Sequence, residues 1–289
     1  MWWNLSHPIK AVETYGVSEF FHREFGNLST SFNKAQFMPN IGIHTIGNGM
    51  KYVKLSEYYH YHGVKFPKIK AIGFTFSYHL MNEILENGTY DKVNVDPISD
   101  LYIFNPLGIL LFSIPGFQKF WAETLHLSDW SLQPMFNPLT GTIENCGDQF
   151  MIRYFRGKKQ NWALFSYYGV DNIFGFSLPV SWREGGNISI GAGACVNRLH
   201  ESREEIARIM LPELDYEMGF FYDINQSLMS SLIITGPRYF NVRLNIYPGL
   251  IHFRNLQPSF YIAAGESDGF ILGINLKRYA SGLHYNFHR

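Results

Sequence analysis

The sequence has little charge and almost no cysteine. Only 17% of its 289 residues are charged, whereas soluble domains carry about 25% charged residues. Lys and Arg total 24, and Asp and Glu also total 24, so no net charge attracts a polyanion and we expect no nucleic-acid partner. Cys146 and Cys195 are too few for a disulfide scaffold, and nothing near them has metal-ligand spacing. We therefore expect no metal and no cofactor.

Several familiar signals are also missing. The sequence has no Gly-x-Ser-x-Gly elbow, no phosphate loop and no dinucleotide fingerprint. The segment beginning at Met1 lacks the basic region, apolar stretch and cleavage site of a signal peptide, so an exported protein with this sequence would be a mature or truncated form. Leu101 to Gln118 is uncharged, but Pro106 and Pro115 interrupt it. This pattern predicts a short buried helix rather than a membrane span.

Aromatic residues and period-2 alternation are abundant instead. Aromatic residues make up 17% of the chain, with 18 tyrosines, and there are 26 glycines. From about residue 150 onward, apolar and polar residues alternate, which is the period of a β-strand. The clearest case is Tyr239 to Pro248, where the apolar positions are Phe240, Val242, Leu244 and Ile246. The intervening Asn241, Arg243, Asn245 and Tyr247 give the strand a second, more polar face.

Ten segments of this kind are predicted as strands. They cover residues 150–156, 161–169, 172–180, 187–198, 215–223, 228–235, 239–248, 258–264, 270–278 and 283–287. The turns between them are short, which favours an up-and-down meander. The one long charged connection, His200 to Leu214, is interpreted as a short helix in a loop.

The period alone does not say which face of the strands lies inside. A soluble ligand-binding β-barrel turns its apolar face inward, whereas a membrane barrel turns it toward lipid. Strand number, low charge and aromatic residues near strand ends favour the second class. We therefore predict a mainly β fold, an antiparallel transmembrane β-barrel of about 10–12 strands in the bacterial outer membrane. Membrane lipid is the expected partner, and the lumen could hold a lipid or small-molecule ligand.

The two halves of the chain differ in pattern. Residues 146–289 are predicted to form the barrel wall. Residues 1–145 are predicted to form a helical or irregular segment, packed in or against the barrel as a lumen plug or placed in the periplasm. Tyr58-Tyr59-His60-Tyr61-His62 is interpreted as an aromatic membrane-interface segment rather than a metal site, because no third ligand is evident.

A polar pair stands out within a predicted helix. The segment from Lys70 to Glu86 is predicted to be a helix, because its apolar residues Ile72, Phe76, Leu80 and Ile84 recur at helical spacing. His79 and Glu83 are four residues apart, so they share one face of that helix. They could form a general base held by a carboxylate. The commoner alternative is a hydrogen-bonded pair that satisfies a buried helix.

Asp96 to Gly108 is the most distinctive segment. Asp96-Pro97 is typical of a helix N-cap and first helical position, in a helix expected to run through Ile103. Capping is the favoured role for Asp96, because a carboxylate there complements the helix dipole. For Asp100 a capping role and a catalytic role both remain open.

Read together, the motif residues resemble an uncharacterised family of Gram-negative outer-membrane proteins. The shared order is Glu, Asp and then Asn-x-x-Gly, carried in this sequence by Glu83, Asp100, Asn105 and Gly108. A preceding His and Gly segment would correspond to His44, Gly47 and Tyr52, and a following Asn/Asp-Pro-x-x-Gly turn to Asn137-Pro138-Leu139-Thr140-Gly141. The resemblance spans roughly residues 40 to 155, but the tryptophan usual before the Glu is missing. It implies a barrel with inserted helices and no established reaction.

Three functions are compatible with these patterns. The first is an outer-membrane β-barrel with a transport or structural role. The second is an envelope enzyme that hydrolyses or transfers lipid acyl groups, with catalytic His79, Glu83 and Asp100 inside the barrel. His44, Tyr52, Asn105 and Gly108 would then be binding or motif residues. The third is a soluble ligand-binding β-barrel, and the directions of Val242 and Arg243 discriminate it from the other two.

Overall fold

The computed structural model describes most of the chain in two compact units. The described ranges are 1–26, 39–87, 93–155, 161–203, 208–236, 241–265, 269–276 and 281–287. One unit, called the helical unit below, comprises Met1–Phe120 and Arg198–Glu213. The other, called the sheet unit, comprises Trp121–Asn197 and Leu214–Arg289.

Short helices make up most of the helical unit. The α-helices are α1 (Trp2–Ser6), α2 (Pro8–Tyr15), α3 (Val17–Phe21), α4 (Asn48–Tyr61), α5 (Pro67–Asn87), α6 (Asp96–Ser99), α7 (Asn105–Phe112) and α8 (Pro115–Lys119). Wider π-helical segments occupy His22–Gly26, Pro39–Gly47, Asp100–Phe104 and Phe120–Thr124. The helix predicted from Lys70 to Glu86 is confirmed as α5. Gly88, part of its predicted cap, lies outside the described residues.

The helix start predicted at Asp96 is one residue late. Val95 occupies the N-cap position and Asp96 is already helical. The side chain of Asn94 supplies the local hydrogen bond, because its Oδ1 accepts from the backbone N–H of Asp96 at 3.1 Å. Helical structure then continues through Phe112 in α7, beyond the predicted end at Ile103.

The helices of the described ranges were compared with the length and hydropathy that a membrane-spanning helix requires. No single helix there is both long enough and apolar enough to cross a membrane. One bent pair, Asp96–Phe112 with Pro115–Thr124, meets the length and composition criteria together and bends by 86°.

Thirteen strands are found in the described residues. They are β1 (Ser128–Asp129), β2 (Met135–Asn137), β3 (Thr142–Glu144), β4 (Gln149–Phe155), β5 (Ala163–Gly169), β6 (Asp171–Pro179), β7 (Gly186–Arg203), β8 (Arg208–Ile224), β9 (Ser227–Thr235), β10 (Val242–Ile246), β11 (Pro258–Ala264), β12 (Phe270–Leu276) and β13 (Gly282–Phe287). All ten predicted strands are confirmed as β4 to β13. The short helix predicted in 200–214 is wrong, since β7 and β8 extend into that range. Dense charge indicates contact with water, and it does not distinguish a helix from an extended hairpin.

All thirteen strands belong to one sheet, in the order β1-β4-β5-β6-β7-β8-β9-β10-β11-β12-β13-β2-β3. Pairing is antiparallel from β4 to β7 and from β8 to β13, and β13 pairs parallel with β2. The ladder is not closed into a barrel. The fold therefore mixes helices with a large, mostly antiparallel sheet, and the prediction of a mainly β fold fits in part.

The short segment that contains β1 and β2 pairs with both ends of the long antiparallel meander. β1 pairs with β4, and β2 pairs with β13. Asp129 and Met135 are at most about 20 Å apart, because six residues of extended chain reach no further. The first and last long strands therefore approach each other, so the sheet is strongly curled.

Packed side chains fill the concave side of this sheet. A buried cluster joins residues of β4, β5, β6, β8 and β9 with Trp130, which follows β1, and Tyr247, which follows β10. Its members are Trp130, Met151, Phe165, Tyr167, Ile173, Phe221, Leu228, Ile233 and Tyr247. Trp130 is central: its ring centroid lies 5.8 Å from those of Phe165 and Phe221. Its Nε1 also donates to the carbonyl oxygen of Gln226 at 2.8 Å.

The sheet buries polar residues and exposes apolar ones. Buried polar positions on the strands include Gln149, Arg153, Asp171, Ser189, Glu217, Asp223, Ser231, Asn245 and Ser259. Exposed positions that alternate with them include Leu164, Phe174, Phe176, Ile190, Met218, Ile234, Val242, Leu272, Ile274 and Leu283. The buried face therefore holds polar residues as well as the apolar cluster around Trp130, and the exposed face carries apolar residues where a face in water would be mainly polar.

Candidate functional site

The candidate site forms where the segment Pro39–Gly47 packs closely against α7. One glycine permits this approach, and a second permits the similar approach of α4 to α7. A Cβ at Gly108 would overlap the carbonyl oxygen of Thr45, and a Cβ at Gly49 would overlap the ring of Phe112. Gly108, singled out in the sequence as a motif residue, is therefore required for backbone-to-backbone contact.

His44 is held between two oxygen atoms in this contact. Its Nε2 lies 3.2 Å from Oδ2 of the buried Asp100, and its Nδ1 lies 3.4 Å from Oδ1 of Asn105. An imidazolium would donate to both oxygens, so the geometry suits a charged His44 paired with an ionised Asp100.

His79 lies beside this pair and is uncharged near neutral pH. Its ring centroid is 5.2 Å from that of His44, and its Nε2 is 3.2 Å from Oδ1 of Asn48. Burial, followed by the nearby charges of His44 and Lys51, lowers the pKa of His79 to about 3. His79 is therefore neutral near pH 7. With its proton on Nε2, it has a buried Nδ1 lone pair that accepts no hydrogen bond from the described residues.

One buried face of α5, called the polar stripe, carries Glu83, which is the other predicted catalytic residue. Ala71, Thr75, His79 and Glu83 recur every fourth residue and are all buried, so Glu83 lies one turn beyond His79 on the same face. The structure thus brings His44, His79, Asp100, Asn105 and Gly108 into one neighbourhood. Glu83 extends it along the helix.

Tyr52 lies outside this polar neighbourhood. It belongs to an apolar cluster with Ala71 and Ile109, and its hydroxyl accepts from Oγ of Ser113 at 3.5 Å. Its position therefore supports packing between α4, α5 and α7.

Two parts of the polar core were not predicted. Asn48 bridges elements, because its Nδ2 donates to the carbonyl oxygen of Asn105 at 3.3 Å while its Oδ1 faces His79. Its position four residues after His44 was a signal that could have identified it. Glu24, fully buried, accepts from Nδ2 of Asn40 at 2.8 Å and from Oγ of Ser99 at 2.9 Å. No local pattern marks that second network.

The Glu24 network is also electrostatically unusual. Burial, reinforced by the charge of Asp96, raises the pKa of Glu24 to about 7. Nε of Arg23 lies 3.6 Å from its Oε1 and only partly offsets these effects. The helical unit therefore contains a carboxyl group that titrates near neutral pH.

One group of potential metal ligands occurs among the described residues. Asp171, Cys195 and Glu217 in the sheet unit place their ligand atoms within 4.8 Å of one another. However, Nη2 of Arg243 lies 2.9 Å from Oδ1 of Asp171 and 3.6 Å from Oε2 of Glu217. The guanidinium already supplies the countercharge, which is typical of an ion-pair network.

Comparisons with models of known families, with curated proteins and with solved structures find no match to this chain. The geometry supplies the remaining basis for function. In the helical unit, His79 lies next to the His44–Asp100 pair, and its buried Nδ1 accepts no hydrogen bond from the described residues. This nitrogen could accept a hydrogen bond from water or a hydroxyl group, but a pKa of about 3 makes His79 a weak base near pH 7.

Proposed function

We propose that this chain is an outer-membrane protein of a Gram-negative bacterium whose sheet unit faces lipid with its exposed apolar side. The observation that carries the proposal is the alternation in β10. Val242 is 36% exposed, whereas the side chain of its neighbour Arg243 is 17% exposed and forms an ion pair with the buried Asp171. Exposed and buried side chains also alternate along β12 and β13, and more and less exposed ones from Tyr216 to Asp223 of β8.

The convex side of the sheet exposes many apolar side chains to the surrounding medium. Soluble monomers rarely expose contiguous apolar patches larger than a few hundred Å². A bilayer removes that cost, and it also favours placing Asn, Ser, Asp and Arg on the protected face. The exposed Tyr285 and Phe287 at the end of β13 suit the aromatic girdle at a membrane interface.

A membrane wall also requires its backbone hydrogen bonds to be satisfied. β1 and β2 cover the outer edges of β4 and β13. Only two residues of β1 and two of β2 form these pairs. We take the curled sheet, with Ser128–Glu144 between its two ends, to be the wall of a transmembrane β-barrel.

A structural or gated transport role fits the filled interior better than an open pore. Trp130 and its aromatic neighbours occupy the concave side. Arg153 and Asp223 form a buried ion pair that also engages Ser189 and Asn187. Water-filled porin channels instead leave a continuous polar lumen.

Cell fractionation and gel mobility test this proposal. The chain, produced in a Gram-negative host with an export signal, should appear in the outer-membrane fraction and require detergent for extraction. Unheated samples should migrate differently from boiled ones. A chain that stays in solution without detergent and shows no mobility shift would contradict the proposal and would favour a soluble ligand-binding protein.

A second candidate function is acid-base chemistry on the acyl groups of lipid. The observation in its favour is the buried lone pair of His79 Nδ1 beside the His44–Asp100 pair. Asp100→Asn and Glu83→Gln should leave folding intact and change the lipid profile of the outer membrane. Tyr52→Phe, which alters a hydroxyl in the apolar cluster, is the matched control. An unchanged profile in both site variants would remove this function.

A further inference from the structure

No exposed residue of α5 is charged over about four turns, and Nζ of Lys51 on α4 lies 5.0 Å from the ring centroid of Tyr78 on this outer face. From Gly73 to Leu85, the exposed residues are Gly73, Phe74, Ser77, Tyr78, Met81, Asn82 and Leu85. The opposite face contains the polar stripe with His79 and Glu83, which is buried. As in the sheet unit, apolar residues lie outside and polar residues inside.

The end of the α4–α5 hairpin has a different composition. Residues 54–70 contain the lysines Lys54, Lys65, Lys68 and Lys70 and a single acidic residue, Glu57, and these five side chains are exposed. Exposed aromatic residues accompany them: Tyr61 is 85% exposed and Phe66 is 71% exposed. Cationic and aromatic side chains are therefore concentrated at the end of the hairpin, whereas the exposed residues of α5 from Gly73 to Leu85 carry no charge.

We propose that residues 54–70, named the hairpin tip, bind the anionic headgroups of a bilayer while the outer face of α5 contacts acyl chains. This inference rests on the proposed membrane location of the protein. Tyrosine and phenylalanine are favoured at the headgroup level, and lysine can extend its ammonium group to it. Basic residues near an anionic membrane surface are attracted to it.

Two observations favour lipid over a protein partner as the occupant of this surface. The positive charge of the tip complements anionic lipid, and it stands at the border of the uncharged face, as expected for a boundary between headgroups and acyl chains. The same unit also contains Asp96–Phe112 and the first part of Pro115–Thr124, a bent helix pair that is compatible with a membrane in length and composition. α5 itself would enter the acyl layer without crossing it.

Depth-dependent quenching tests the inference. Fluorescent probes are attached to His62→Cys at the tip, Met81→Cys on the α5 face and Val242→Cys on β10, each with Cys146→Ser to remove the exposed native thiol. The proteins are reconstituted in phosphatidylcholine vesicles containing phosphatidylglycerol. Nitroxide lipids labelled at the headgroup or in the acyl chain, and aqueous iodide, serve as quenchers.

We expect acyl-chain nitroxide to quench Met81→Cys and Val242→Cys several-fold more than iodide does. His62→Cys should respond most to headgroup nitroxide, and the combined change of Lys65, Lys68 and Lys70 to Gln should weaken that response. Lys10→Gln, on a different helix, should leave it unchanged.

The outcomes separate the two proposals. Lipid quenching at Val242→Cys together with purely aqueous quenching at Met81→Cys and His62→Cys would overturn the hairpin inference alone. Aqueous quenching at all three positions would overturn both it and the membrane location of the sheet. If headgroup quenching at His62→Cys is the same with and without the three lysine changes, the role assigned to the lysine charges would be overturned.

Discussion

Val242 and Arg243 are consecutive residues of β10 that point into opposite surroundings. Val242 lies on the exposed face, whereas Nη2 of Arg243 lies 2.9 Å from Oδ1 of Asp171 on the buried face. A soluble ligand-binding barrel would place these two side chains the other way round. The relationship therefore supports a lipid environment for the exposed side of the sheet.

A charge placed on that exposed side should be costly in a bilayer. Leu272 on β12 is 42% exposed, and Leu272→Arg should destabilise the protein by about 2–4 kcal/mol if the site lies near the membrane midplane. Denaturant unfolding from vesicles measures the change, with Leu272→Met as the control. An effect within about 0.5 kcal/mol, as at an ordinary surface site in water, would oppose lipid contact.

The buried ion pair of Arg153 and Asp223 should be essential to the sheet unit. Both side chains are almost fully buried, so Asp223→Ala leaves a guanidinium without its carboxylate and should cost about 3–5 kcal/mol. Unfolding measurements in detergent test this value. The double variant Arg153→Met with Asp223→Leu should recover much of the loss, because neither charge then remains buried. Equal destabilisation in the single and double variants would argue against the charge explanation.

Gly108→Ala should separate α7 from the segment Pro39–Gly47. The added methyl group overlaps the carbonyl oxygen of Thr45, and overpacking of this kind costs about 1–3 kcal/mol. Gly73→Ala is the control, because nothing lies within 4 Å of its Cβ position on α5. That change should stabilise the protein by up to about 1 kcal/mol. A neutral result for Gly108→Ala in thermal unfolding would contradict the close packing.

Glu24 should make stability fall as pH rises toward neutrality. Its pKa is raised from 4.5 to about 7 by burial and by Asp96, so between these values the folded protein binds more protons than the unfolded chain. The stabilisation is complete below pH 4.5 and is lost by about pH 7, with a slope of up to about 1.4 kcal/mol per pH unit.

The variant Glu24→Gln should flatten that part of the stability curve. Glu19→Gln, at an exposed position of α3, should leave the slope unchanged. If wild type and Glu24→Gln show parallel pH profiles in chemical unfolding, Glu24 does not titrate in this range.

The long strands were accessible from sequence because each carries a local signal. Period 2 in Val242 to Ile246 is visible without knowing any neighbour. β1, β2 and β3 were missed because strands of two or three residues contain no measurable period. The pairing of Ser128 with β4 and of Met135 with β13 could not be predicted either, since it joins strands that are far apart in the sequence.

The candidate site could be predicted in part, because some of its residues also carry a local sequence signal. The helical spacing of His79 and Glu83 predicts a shared face, and that face is buried. The contacts of His44 with Asp100 and of Glu24 with Ser99 join residues 56 and 75 positions apart. No local periodicity encodes such contacts. The charge state of each group depends in turn on this long-range packing.

Lipid accessibility along β12 is the most direct measurement of the central claim. Single cysteines at Phe270, Ile271, Leu272, Gly273 and Ile274, labelled in vesicles with Cys146→Ser, would be quenched by acyl-chain nitroxide. Strong quenching at Phe270, Leu272 and Ile274, with weak quenching at the two intervening buried positions, is the expected result. Quenching of Phe270, Leu272 and Ile274 by aqueous iodide alone would show that this face meets water and would contradict the account.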